Sequence, residues 1–103
     1  MRYFRKVLFC AGFFYSAGVL SAMTGQQVYQ KVCAVCHAAG VAGAPRFGQK
    51  AEWEKRKKPL SELYGHAING YGVMPPRGGA SISDEEVKSA VDYMLKASNM
   101  DLK

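Results

Sequence analysis

Cysteine is scarce in this chain. There are three in 103 residues, at positions 10, 33 and 36. A secreted disulfide scaffold carries more of them at wider spacing. Val and Ile are sparse beyond the N-terminal segment, which argues against a sheet-rich domain. A Gly-rich dinucleotide fingerprint and a P-loop are absent, and the length is short for a Rossmann domain or a TIM barrel. It suits one small domain rather than two. Charged residues reach 21% against 49% hydrophobic, so the composition is globular and not disordered.

Charge of one sign is in modest excess, and part of it sits outside the domain. Arg2, Arg5 and Lys6 precede the apolar run Val7 to Leu20, and the small residues Ser21 and Ala22 follow. A basic start, a short apolar stretch and small residues form a secretory leader, expected over residues 1–22 with cleavage after Ala22. An uncleaved membrane anchor is the alternative, though the run falls short of the roughly 20 residues of a spanning helix. Residues 23–103 then form the domain, with 11 basic and 8 acidic residues and a net charge of +3. That is too mild for a nucleic-acid binder, and the compartment implied is the periplasm.

Cys10 falls in the leader, with no lipobox ahead of it. Beyond it, Gly25 to Cys36 reads as a helix with Val28, Tyr29 and Val32 on one face. Ala38 to Gly48 reads as a loop, and Trp53 to Lys58 as a short polar segment stopped by Pro59. Ser61 to Asn69 reads as a helix with Leu63, Tyr64, Ala67 and Ile68 inward. Gly70 to Ala80 is a Gly- and Pro-rich loop in which no helix is expected. Ser83-Asp84-Glu85-Glu86 is a capping box. Val87, Ala90, Val91, Met94 and Leu95 after it follow the spacing of an amphipathic helix. The fold class expected is all-α, three to four helices with long loops that need something to pack against.

That something is indicated by Cys33-Ala34-Val35-Cys36-His37, the attachment signature of a c-type haem. Two thiols three positions apart on a helical turn can reach two porphyrin vinyl groups as thioethers, and the next residue offers an imidazole to the iron. A dithiol oxidoreductase would want a βαβ setting that is not there. A zinc site would have to use the adjacent pair Cys36 and His37, a poor tetrahedral arrangement. His37 takes one axial position. For the other the candidates are Met74, in a loop stiffened by Pro75 and Pro76, and His66, whose simpler reading is a surface histidine, or no ligand at all.

These residues resemble a family. Cys33 to His37, Gly43-Ala44-Pro45-Arg46-Phe47-Gly48, Trp53, Gly72-Val73-Met74-Pro75-Pro76-Arg77-Gly78-Gly79 and the stretch from Asp84 to Met94 are similar to class I c-type cytochromes, most of all the short bacterial cytochrome c5 type. The resemblance implies a class I cytochrome c fold around one covalent haem c, with His37 and Met74 as axial ligands and Cys33 and Cys36 as thioethers. It implies a Pro45 carbonyl accepting the His37 ring N–H, and Trp53 beside the haem edge. It also implies a crossing of the first and last helices where Gly25 and Tyr29 meet Tyr93. One departure is plain: the loop after Met74 lacks the second cysteine pair of typical cytochromes c5.

The function expected is a one-electron carrier. A thioether ligand favours ferrous iron, and a six-coordinate iron leaves no position for substrate. The rivals are a peroxidase-like or ligand-binding haem protein with an open or bis-histidine iron, and a non-haem metal-binding module. The partners expected are redox proteins such as a membrane oxidase or reductase or another cytochrome, with no nucleic acid and no small-molecule substrate, and the chain is expected to be a monomer. Steering toward an acidic partner would come from Arg46 and Arg77 in the loops expected to flank the haem, ahead of the Lys55-Arg56-Lys57-Lys58 run.

Overall fold

The computed structural model describes residues 21–102. The leader reading therefore lies outside the described residues, apart from Ser21 and Ala22. No helix among the described residues is long and apolar enough to cross a membrane.

Among the described residues there are five α-helices. α1 (Gly25–Val28) runs through a π-helical turn at Tyr29–Cys33 into α2 (Ala34–His37). The helix expected to stop at Cys36 thus takes in His37, and its middle turn is wider than an α-helix. The single apolar face expected of Val28, Tyr29 and Val32 is split as a result. Val28 and Val32 line a cleft, while Tyr29 packs its ring 4.4 Å from Phe47 and 5.8 Å from Tyr93.

α3 (Lys50–Glu54) replaces the polar segment expected around Trp53, which is buried on it. α4 (Leu60–Asn69) follows Pro59, with Ala67 buried and Leu63, Tyr64 and Ile68 against the core. Short 3-10 turns lie at Val41–Gly43 and Pro76–Gly79, inside the two stretches expected to be loop. The second is no right-handed helix, since Arg77 and Gly78 have φ of 55° and 62°.

α5 (Asp84–Ala97) forms as its sequence dictates. Ser83 Oγ accepts the Glu86 N–H at 3.1 Å, and Glu86 Oε1 accepts the Ser83 N–H at 2.9 Å. Val87, Ala90, Val91, Met94 and Leu95 are all buried. α5 crosses α1 at Gly25, where an added Cβ would collide with the Ser89 carbonyl oxygen and lie 3.1 Å from Tyr93 Cβ. Only glycine permits that approach. The all-α class is as expected: among the described residues the β pairing is a single bridge between Tyr71 and Met74.

Candidate functional site

The helices enclose a cleft of about 640 Å³, within the roughly 300–1,000 Å³ of small-molecule and cofactor sites. Its lining is largely apolar, with Val28, Val32, Leu63, Val87, Val91 and Met94 among the contributors. The groups able to bond a metal or a vinyl carbon are few and they converge. Cys33, Cys36 and His37 arrive from the π turn and α2, Met74 from the loop after α4, and His66 from α4.

His37 is buried, and its orientation is set by one bond. Its Nδ1 lies 2.8 Å from the Pro45 carbonyl oxygen. A carbonyl can only accept, so Nδ1 carries the proton, and the neutral ring then has its lone pair on Nε2. The loop that supplies Pro45 is tied down on every side. Phe47 N–H donates to the His37 carbonyl at 2.8 Å, and Gly48 N–H to the fully buried Ser98 hydroxyl at 2.9 Å. Trp53 Nε1–H donates to the Arg46 carbonyl at 2.9 Å, which leaves the indole ring stacked on His37 with centroids 5.6 Å apart. Trp53 also lines the cleft.

Met74 is held by its own backbone. Met74 N–H donates to the Tyr71 carbonyl at 3.0 Å and Tyr71 N–H to the Met74 carbonyl at 2.9 Å, closing a four-residue turn. Downstream, Arg77 pairs with Asp84 and donates to the Ile82 carbonyl at 3.0 Å.

Burial pushes the Cys33 thiol up to about 11. A dithiol oxidoreductase needs the opposite, a lowered thiol that is ionised near neutral pH. The donor set therefore suits a covalently held, apolar, planar cofactor. It combines two thiols on one turn, an imidazole with a free Nε2, a thioether, and walls of aliphatic side chains.

Of the two arginines expected to flank the haem, one lines the cleft and one does not. Arg46 does not line the cleft, because its guanidinium is turned to Glu52, with Nε 2.9 Å from Oε2. Arg77 does line it, and so do Lys55, Arg56 and Lys58 of the basic run. That run forms the turn after α3 and ends at Pro59. The sequence did not mark the mouth of the cleft, where Val35, Val41, Tyr71 and Val73 are exposed apolar side chains.

Comparison with known proteins agrees with this geometry. Residues 21–94 match the family model described as cytochrome C oxidase, cbb3-type, subunit III. Small free-standing relatives match over most of their length. Cytochrome c-555 of Chlorobaculum tepidum is 38% identical over 86 residues, covering 78% of this chain and 80% of that protein. Cytochrome c5 of Ectopseudomonas mendocina is 38% identical over 77 residues, covering 71% and 88%. The backbone is similar to a chain of the crystal structure of an electron transfer complex of nitrite reductase with cytochrome c. There the TM-score is 0.67 at 39% identity, over 72% of this chain and 93% of that one. A mono-heme ferrocytochrome c from Shewanella putrefaciens gives a TM-score of 0.62 at 35% identity, over 73% and 95%.

Proposed function

This chain belongs to the small class I c-type cytochromes, electron carriers with one covalent haem c, and from that premise we propose a periplasmic carrier whose iron lies between His37 and Met74. When bound, the haem supplies a one-electron ferric/ferrous couple. Cys33 and Cys36 hold it through thioethers. His37 presents Nε2, fixed in direction by its bond to Pro45, which also strengthens the imidazole as a ligand. Trp53 braces the His37 ring and closes the cleft beside it. Met74 supplies the thioether that favours the ferrous state. His37 and Met74 would together hold the iron and leave it no position for a substrate, which suits a carrier and not an enzyme.

The observation that carries the reading is the His37–Pro45 bond at 2.8 Å, because it leaves Nε2 as the imidazole's lone-pair nitrogen beside two cysteines in an apolar cleft. His66 is the rival for the second position, but its ring is stacked on Tyr71 and its Nε2 lies 3.7 Å from Glu62. The test is a visible spectrum of the ferrous holoprotein with and without carbon monoxide. The native chain is expected to keep its spectrum. Met74→Ala is expected to bind carbon monoxide and to have a lower reduction potential. If His66→Ala has those effects and Met74→Ala has not, the site is bis-histidine; if the native chain binds carbon monoxide freely, the iron is open and the carrier reading falls.

The partner is a redox protein with an acidic rim. Lys55 and Lys58 lie beside the apolar mouth formed by Val35, Val41, Tyr71 and Val73, and a carrier needs a small, quickly released interface. The membership of a cytochrome c in the nitrite reductase complex supports a partner of this general kind. Export follows from the leader over residues 1–22. Cleavage after Ala22 would make the Met23 nitrogen an ammonium, and that nitrogen already donates to Glu86 Oε2 at 2.9 Å, which supports this register.

A further inference from the structure

His66 has no role in the reading above, yet it is neither a free surface side chain nor aimed at nothing. Its imidazole lies face to face with the Tyr71 ring, with centroids 3.9 Å apart and planes 12° apart. Tyr71 is 61% exposed. On one side, then, the His66 ring gives this side chain a fixed support in place of water. Glu62, one turn back on α4, has a carboxylate oxygen 3.7 Å from His66 Nε2. Tyr71 is in turn the residue whose backbone N–H and carbonyl both pair with Met74.

A line of contacts therefore runs from the rigid helix α4, through two stacked rings, into the two hydrogen bonds that close the turn around Met74. We propose that the His66–Tyr71 stack is a positioning device for Met74, restraining the loop so that the thioether stays at the iron. The inference rests on Met74 being the ligand and deepens that reading. The stack supplies a restraint for a ligand loop that has no cysteine of its own to cross-link it. The platform carries the residue on the N-terminal side of the turn, and the Arg77 contacts carry the residues beyond it.

The test is an imidazole titration of the ferric holoprotein, because exogenous imidazole binds only when Met74 leaves. Stacked aromatic pairs of this kind change an equilibrium by about two- to tenfold. Tyr71→Ala and His66→Ala are each expected to raise the apparent imidazole affinity by that factor. Tyr71→Phe and His66→Phe, which keep a ring in place, are expected to match the native protein. The double alanine variant is expected to equal either single one, since both break the same contact. Native affinity in Tyr71→Ala, or additive effects in the double variant, overturns the proposal. Met74→Ala separates the two levels. If it raises imidazole affinity strongly while Tyr71→Ala does not, the platform is wrong and the ligand right. If it leaves the affinity unchanged, Met74 is not the ligand and the platform falls with it.

Discussion

His37 and Met74 face the same cleft, but they stand on foundations of different kinds. His37 ends a helix that α5 pins at Gly25 and that the Pro45 loop clasps from the other side. Its surroundings are buried: Tyr29, Trp53 and Ser98 all lie in or against the core. Met74 sits in a loop whose neighbours are mostly exposed, with Gly72 and Gly78 in the left-handed region. What holds it is a backbone turn, an aromatic stack and the contacts of one arginine. In a carrier this asymmetry has a physical sense. On the reading proposed above, the imidazole side would be bound covalently through the neighbouring cysteines and would need a fixed frame. The thioether of Met74 would be the weaker ligand, so its retention would depend on how well the loop is restrained.

The largest way to break that contrast is at the frame. In an exposed helix, Gly25→Ala would be favourable by about 0.5–1 kcal/mol through backbone entropy. Here the added Cβ meets the Ser89 carbonyl oxygen, which is backbone and has no rotamer to escape into. Overpacking of this sort costs about 1–3 kcal/mol, so the net effect is destabilising. A melting temperature of the ferrous holoprotein lowered by roughly 4–8 °C for each kcal/mol is expected for a domain of this size. An unchanged or higher melting temperature would show that the helices do not cross at Gly25.

A smaller effect is expected on the loop side. Arg77→Gln removes the ion pair with Asp84 and weakens the bond to the Ile82 carbonyl. Both groups are partly exposed, so a cost of about 1 kcal/mol is reasonable. Its signature is where it acts. Amide exchange at Tyr71 and Met74 is expected to quicken about fivefold, with exchange at Phe47, which donates to the His37 carbonyl, left as it was. Equal acceleration at both places would mean that the two sides open as one unit and that the contrast has no energetic basis.

How much of this could be read in advance also divides along the same line. α5 is legible because a capping box and five apolar residues at helical spacing all point one way, and each of those five is buried. The crossing at Gly25 and the His37–Pro45 bond follow from the family resemblance. The π turn at Tyr29–Cys33 is not legible, since no Gly or Pro marks it and a wider turn leaves the apolar pattern almost unchanged. Nor is the helix around Trp53, which has no side-chain cap on Gln49 to announce it. The loop around Met74 resists sequence reasoning most. Its order comes from contacts between residues near in space, such as Gly78, where a Cβ would collide with Val32, a residue of the helical side. Arg46 misled for the same reason: its charge was visible, but not that Glu52 on α3 would turn it away from the cleft.

That Arg46–Glu52 pair gives the smallest and most conditional effect, and it belongs to the frame. The Arg46 side chain donates to Glu52, and its backbone N–H donates to Glu52 Oε1 at 2.9 Å, which together hold the carboxyl down to about 2. An unfolded chain would titrate this group near the ordinary value of about 4.3. The folded state thus prefers the ionised form. Its contribution is complete above the unfolded value, declines as the pH falls below about 4.3, and is gone below about 2. The pair is exposed, so the contribution is modest and falls with added salt. Between about pH 6 and about pH 3, the melting temperature of the native holoprotein is expected to fall more steeply than that of Glu52→Gln. The two proteins should draw together toward the acid end, because there the unfolded chain takes up a proton at Glu52 while the folded carboxylate still resists it, a difference that glutamine never had. Parallel curves across that range would mean that the pair adds nothing to the clasp on Pro45, and that the frame around His37 rests on its buried contacts alone.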